Sequence, residues 1–377
     1  MDIDELNEIS QDFGVIYGEL ENNVILTINQ ELNKHSDDLE KWKTTHMLGQ
    51  KSLIKELKDK IKAGTKLTNE MLKSAFKMVG SDFDYVPMND AFGNVLLKNS
   101  INQYNRVVNK IHRLTSIDEL KQSIYEQTKL GIDKGIMVAY KNGKQYQYKS
   151  YTEMAVRTVI GNETTKIQND AGYNAHIVFW LYNSFQDCAE DHQKFQGKYY
   201  YDKRWKSFPF SEETKEMIQA YIDKNKLISF QDVESEPIWL GTRPNCRHKK
   251  ISVSINQVLG KSASELSLEL GMTNGRFDNE KYKITQEHRR NERTIREYIS
   301  KKLHYQELLK QQPKNQLYKE NVIKYRALSK KWKERDKVLL SNNAWLERDP
   351  RREDPRIMVK DIGAKYNIKK AEQAFKI

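Results

Sequence analysis

Two sulfurs and two imidazoles are the residues best suited to chemistry in this chain: Cys188 and His192 in "DCAEDHQ", Cys246 and His248 in "GTRPNCRHKK". Thiolate and imidazole are zinc donors, and a set of two each is that of a closed tetrahedral structural site. The Cys-x-His spacing is shorter than the usual gap of about two to four residues between paired zinc ligands. A second reading therefore stands beside the metal: Cys246 as a small buried hydrophobe, with Arg247 and the histidines in a hydrogen-bonded cluster that fixes this loop to "FQGKYY". A disulfide between Cys188 and Cys246 is the weakest reading, because two cysteines in 377 residues fit a reducing cytoplasm.

Catalysis has one foothold. Asp187, Glu190, Asp191 and His192 cluster around the first motif, which would suit a metal-dependent or histidine-based hydrolase such as a nuclease. No P-loop, GxSxG, HExxH or dinucleotide fingerprint accompanies them, and a motif-free acidic cluster is ordinarily a solvated loop. The expectation is a protein that is not an enzyme. His46 and His112 lie in helical segments and are assigned no chemistry.

Charge points to a different function. The formal net charge is +12, and residues 281–340 alone hold 18 Lys plus Arg against 7 Asp plus Glu. Nearly the whole excess therefore sits in one segment. Either it is a solvated face, or it meets a polyanion such as double-stranded DNA through Arg289, Arg290, Arg293, Lys301, Lys302, Lys330 and Lys331.

The elements that must position these groups are legible from periodicity. "EHRRNERTIREYISKKLHYQELLK" has no Gly or Pro and repeats apolar residues at Ile295, Tyr298, Ile299 and Leu303, as a helix does. Pro313 should end it, and a second helix should bury Val322, Ile323, Leu328 and Trp332. The N-terminal region reads as bundle helices, with stripes at Val15, Ile16, Leu20, Val24 and Leu32 and at Leu53, Ile54, Leu57 and Ile61; Gly64 is expected to stop the latter. Tyr104, Val107, Val108 and Ile111 form a third stripe, and Ser116 with Glu119 is a capping box.

From residue 136 the pattern becomes mixed. "IMVAYKNGKQYQY" alternates around Asn142-Gly143, a hairpin signal. The next segment is a helix expected to pack Tyr151, Met154, Ala155, Thr158 and Val159 on a sheet, and "AHIVFWLYN" reads as a buried strand. A helix should start at Ser211, and "PIWLG" and "ISVSI" are strand candidates flanking the Cys-x-His motif.

The ordered motifs "YTEMAVRT", "DCAEDHQKFQGKYY", "GTRPNCRHKK" and "QEHRRNERTIREY" resemble the phage minor capsid protein 2 family, relatives of the Mu F-like head morphogenesis proteins. "IYGELENNVILTINQEL" and "KWKTTHMLGQKSLIKEL" are similar to that family's opening helices, so the resemblance spans most of the chain. It implies a low-copy protein of the virion head, assembled in the host cytoplasm and needed for head morphogenesis or genome delivery. Its implied partners are portal and capsid proteins. The family's pattern falls on Arg157, Thr158, His192, Gln196, Gly197, Pro244, Asn245, Cys246, Arg247 and His248, then on Arg290, Glu292, Arg293 and Arg296. Cys188 and the segment from "KYYYDKRWKSFPF" to "DVESEP" depart from it.

The expected fold is α+β: an N-terminal helical domain over 1–130, a central mixed α/β domain with a small sheet over 131–275, a hairpin of long basic helices over 276–346 and a tail over 347–377. No secretory signal or transmembrane helix is indicated. Apart from the zinc that the Cys/His set could hold, no cofactor is expected. DNA binding or metal-dependent DNA cleavage is the alternative function.

Overall fold

The computed structural model describes residues 3–48, 50–139, 143–188, 190–235, 248, 250–270 and 278–366. The N-terminal helices are α1 (Ile3–Asn33), α2 (Leu39–Leu48), α3 (Gln50–Met78), α4 (Val86–Ile111) and α5 (Ile117–Lys134). Next come β1 (Met137–Ala139), β2 (Gln145–Gln147), α6 (Tyr148–Asn174), β3 (Phe179–Tyr182), β4 (Tyr199–Tyr201), α7 (Glu212–Asn225), α8 (Phe230–Ser235) and β5 (Lys250–Val253). The chain continues through α9 (Ile255–Gly260), α10 (Ala263–Glu269), α11 (Asn279–Gln311), α12 (Gln316–Ser341), α13 (Pro350–Glu353) and α14 (Pro355–Lys365). This is the expected α+β fold, mainly helical, with two small antiparallel sheets. No helix among the described residues is long and apolar enough to cross a membrane.

Two compact units form. One is built mainly from residues 155–289, the other from 9–75, 83–154 and 290–377.

The first unit is organised by a three-stranded antiparallel sheet in the order β4-β3-β5. Side chains alternate across a strand, so β3 serves two cores at once. Phe179 and Leu181 join Trp205, Ile218, Ile222, Val253 and Val258 on one face. Trp180 and Tyr182 join Phe195, Tyr200, Phe230 and Val233 on the other. All four β3 residues are buried, which explains a near-continuous apolar run in place of polar alternation. "ISVSI" supplies β5, while "PIWLG" lies outside the described residues. α7 begins at Ser211 as expected, its side chain accepting from the Thr214 amide.

The second unit holds the N-terminal stripes. Val15, Ile16, Leu20, Val24, Leu32, Leu53, Leu57 and Ile61 are all buried. Gly64 does not stop α3, which runs on to Met78. A Cβ at Gly64 would come within 2.5 Å of Leu20 Cδ1, so the glycine serves a close approach of α1 to α3 and not a terminus. Ser116 and Glu119 form the capping box of α5. β1 pairs with β2, Val138 opposite Tyr146, and Gly143 adopts φ +78 in the turn. α11 stops at Gln311, two residues ahead of Pro313. In α12, Val322 is buried but Ile323 is 65% exposed, because one helical step carries it about 100° away from the buried arc. Tyr305, Leu308, Tyr318, Val322 and Tyr325 make the core between α11 and α12.

α6 departs from the expected stripe. Tyr148, Thr152, Val156 and Ile160 are fully buried at i, i+4, i+8 and i+12, while Tyr151, Met154, Ala155, Thr158 and Val159 are half-buried.

Candidate functional site

Two polar clusters lie beside the sheet of the first unit, one holding His248 and the other Lys250. The first is a junction centred on Gln196, a buried amide in the turn ahead of β4. Its Oε1 accepts from the Phe185 amide at 2.9 Å, and its Nε2 donates to the Phe185 carbonyl at 3.2 Å. This reciprocal pair fixes which end of the amide is oxygen, since a flipped amide would oppose donor to donor and acceptor to acceptor. The same Oε1 lies 2.7 Å from His248 Nε2, so that nitrogen must carry a proton and donate. The His248 ring also packs against Phe185 and His192, with centroids 5.4 and 5.1 Å apart. Next to Gln196, Gly197 takes φ +65 and donates its amide to the Tyr182 carbonyl at 2.9 Å.

The sequence motifs are thus brought together where they can be followed. Cys188, His192, Gln196 and His248 are buried, and the Cys188 amide donates to the Phe185 carbonyl at 3.3 Å. Pro244, Asn245, Cys246 and Arg247 lie outside the described residues. A zinc ion in this set would have to bind His248 through Nδ1, because Gln196 engages Nε2. Among the described residues, no group of three or more His, Cys, Asp or Glu is placed to hold a metal. In the acidic cluster, Asp191 Oδ1 is 3.8 Å from His192 Nε2. Arg157 and Thr158 are half-buried on α6.

The second cluster was not anticipated from sequence. Lys250, the last residue of "GTRPNCRHKK", opens β5 opposite Tyr182, and its side chain is 2% exposed. Its Nζ donates to Glu234 Oε1 at 2.7 Å and to Asn169 Oδ1. Asn169 Nδ2 donates to Glu234 Oε2 at 3.2 Å, and the Tyr182 hydroxyl donates to Glu234 Oε1 at 3.2 Å. The ammonium stands 3.5 Å from the Phe230 ring centroid and 5.1 Å from that of Trp180. Burial pushes the Lys250 amine down to about 8, although Glu234 opposes the shift. Asn169 and Phe230 also line a cleft of about 420 Å³ with Lys166, Lys203 and Arg204. The one sequence signal was a lysine at the head of an apolar strand.

The family-pattern residues of α11 divide: Glu292 and Arg296 face inward, while Arg290 and Arg293 are exposed. Asn291, Glu292 and Arg296 are buried. Burial lowers the Arg296 guanidinium, while Glu153 and Glu292 support its charge. Nearby, burial pushes the Glu21 carboxyl up to about 7, against the amide of Ile136 that donates to it. These charges organise a core.

The proposed nucleic-acid residues divide by environment. Arg290, Arg293, Lys330 and Lys331 are exposed, and Arg289 and Lys302 are half-buried. Lys301 is 11% exposed, 2.5 Å from Glu297 Oε1 and 3.5 Å from Asp133 Oδ1. One cationic row runs along α12, where Lys319, Arg326, Lys330 and Lys337 are exposed and Lys333 is half-exposed. Spaced at 7, 4, 3 and 4 residues, they lie along one side of the helix over about 27 Å. Burial lowers the Lys302 amine, and Arg356, Arg326 and Lys333 add to the shift against the opposing Asp354.

The sequence model of phage minor capsid protein 2 matches residues 84–333. No curated protein and no solved structure matches the chain.

Proposed function

The chain belongs to the phage minor capsid protein 2 family and so has a structural role in a phage head; from that premise we propose that it works at the portal or inside the head, in head morphogenesis or genome delivery. It is assembled in the host cytoplasm, and its partners are portal and capsid proteins together with double-stranded DNA.

The observation that carries this reading is the α12 row, Lys319, Arg326, Lys330, Lys333 and Lys337, along one side of a long helix. Packaged DNA is the densest polyanion in a phage head, and a cationic row on a rigid helix suits phosphates without reading bases. Burial of Glu292 and Arg296 supports the same assignment of roles, with part of the α11 charge belonging to the fold and the α12 row available to a partner. The Gln196 junction is a structural joint holding His248 to the Phe185 loop.

The test is whether the protein co-purifies with particles and binds duplex DNA with a steep salt dependence. Mass spectrometry of gradient-purified heads should find it in low copy alongside the portal protein. Absence from heads, or affinity for DNA that does not change with salt, would reject this reading.

A further inference from the structure

Lys250, Asn169 and Glu234 come from three separate elements, β5, α6 and α8, yet meet as amine, carboxamide and carboxylate in one partly buried cluster around the buried Lys250. We propose that Lys250 and Asn169 join through an autocatalysed intramolecular isopeptide bond, with Glu234 as the proton-transferring group.

Three observations carry it. The amine lies against the carboxamide oxygen, so nucleophile and acyl carbon share a hydrogen-bonding site. Glu234 spans both partners, Oε1 at 2.7 Å from Nζ and Oε2 at 3.2 Å from Asn169 Nδ2. One carboxylate therefore touches the nitrogen that must lose a proton and the nitrogen that must gain one. Trp180 and Phe230 pack against the amine, with the Tyr182 hydroxyl on Glu234, so Lys250 is held away from water while Asn169 faces the cleft. Prolonged contact in a fixed geometry is what lets an unactivated amide react at all. Asn169 is itself held, its backbone carbonyl accepting from Arg204 at 3.2 Å while Arg204 pairs with buried Asp202 at 2.7 Å.

The chemistry balances without a cofactor. The ammonium first gives up one proton to solvent. The neutral Nζ attacks Asn169 Cγ while Glu234 Oε1 takes a second proton from it. Collapse of the tetrahedral adduct breaks the Cγ–Nδ2 bond, and Glu234 passes its proton to that nitrogen. Ammonia leaves, the carboxylate is restored, and nothing is oxidised or reduced. The cleft lined by Asn169 and Phe230 offers the departing ammonia a route out. The product ties β5 to α6 across 81 residues of chain, a covalent strap on a head protein that works beside tightly packed DNA.

The test is the intact mass of the full chain, purified folded, incubated at mildly alkaline pH and then denatured. The expected result is a mass below that of the sequence by one ammonia, and after trypsin a branched peptide joining Lys250 Nζ to Asn169. Glu234→Gln and Lys250→Arg should both keep the full mass. If either variant fails to fold, the parent's branched peptide decides alone. A parent of unaltered mass overturns the proposal. So does ammonia loss confined to a linear peptide containing Asn169, the signature of succinimide formation at the Asn169-Asp170 step.

Discussion

Gln196 and His248 are 52 residues apart in sequence and share a hydrogen bond of 2.7 Å between Oε1 and Nε2, both side chains buried. Gln196 also satisfies the amide and the carbonyl of Phe185, so one side chain closes three polar groups. Leaving buried groups unpaired costs more than the bonds themselves contribute. Gln196→Leu is therefore expected to destabilise the protein by about 3 kcal/mol, measured by urea denaturation. The packing version of this junction also expects chelator-treated and untreated protein to melt together. A chelator-induced fall in melting temperature, with stoichiometric zinc in elemental analysis, would replace that version with a metal site.

Gly143 sits at φ +78, and a Cβ there would meet nothing within 4 Å. Any penalty on substitution is therefore backbone strain, free of steric clash. Gly143→Val should cost about 1–2 kcal/mol, whereas Gly143→Asn, which tolerates the left-handed region, should cost well under half as much. Thermal melts of the two variants side by side would separate strain from side-chain loss, and equal melting temperatures would remove the strain argument.

How legible the fold was depended on which face of each element did the work. α1, α3 and α4 announced themselves because one stripe is buried, as Val15, Ile16 and Leu20 show, and α5 by its capping box. α6 was legible as a helix but not in its buried face, because polar Thr152 is buried in line with Tyr148, Val156 and Ile160 while the apolar Met154, Ala155 and Val159 are half-covered. Gly64 misled for a related reason: a glycine that admits Leu20 looks in sequence like one that ends a helix. At the candidate site, the motif residues Gln196 and Gly197 were visible as types, but their roles depend on Phe185 and Tyr182, contacts that spacing cannot reveal. Lys250 was hidden inside a run of basic residues, and only the β3–β5 register sets it opposite Tyr182.

His304 is buried on α11, and burial pushes its imidazole down to about 4. The folded state therefore keeps it neutral while the unfolded chain takes up a proton near pH 6.5. Between those values the unfolded state binds more protons, so stability is lost as pH falls from about 6.5 to about 4. Glu21 works in the opposite sense: a carboxyl raised to about 7 costs stability as pH rises from 4.5 towards 7. His304→Leu should remove up to about 1.4 kcal/mol per pH unit from the acid-side slope. Glu21→Gln should instead steepen the net loss on acidification. Denaturation midpoints at pH 7 and pH 5 would check both, and parallel slopes in parent and variants would contradict the assignment.

The basic helices allow a sharper test than charge counting. Lys301 is held by Glu297 and Asp133 and stands 5.7 Å from the Tyr325 ring centroid, so its charge is already answered within the fold. Lys319, Lys330 and Lys337 are exposed on one side of α12 and have no ion-pair partner among the described residues. Each phosphate contact releases counterions, so removing one should flatten the plot of log affinity against log salt by about 0.9. Replacing Lys319, Lys330 and Lys337 with Gln is therefore expected to weaken duplex DNA binding and reduce the slope by about 2–3, while stability changes by under about 0.5 kcal/mol. Lys301→Gln should do the reverse, leaving the slope nearly unchanged and lowering stability. Equal slopes for the triple variant and the parent would mean that the α12 row does not meet DNA, and retained assembly of heads would then show that it is not needed for a protein partner either.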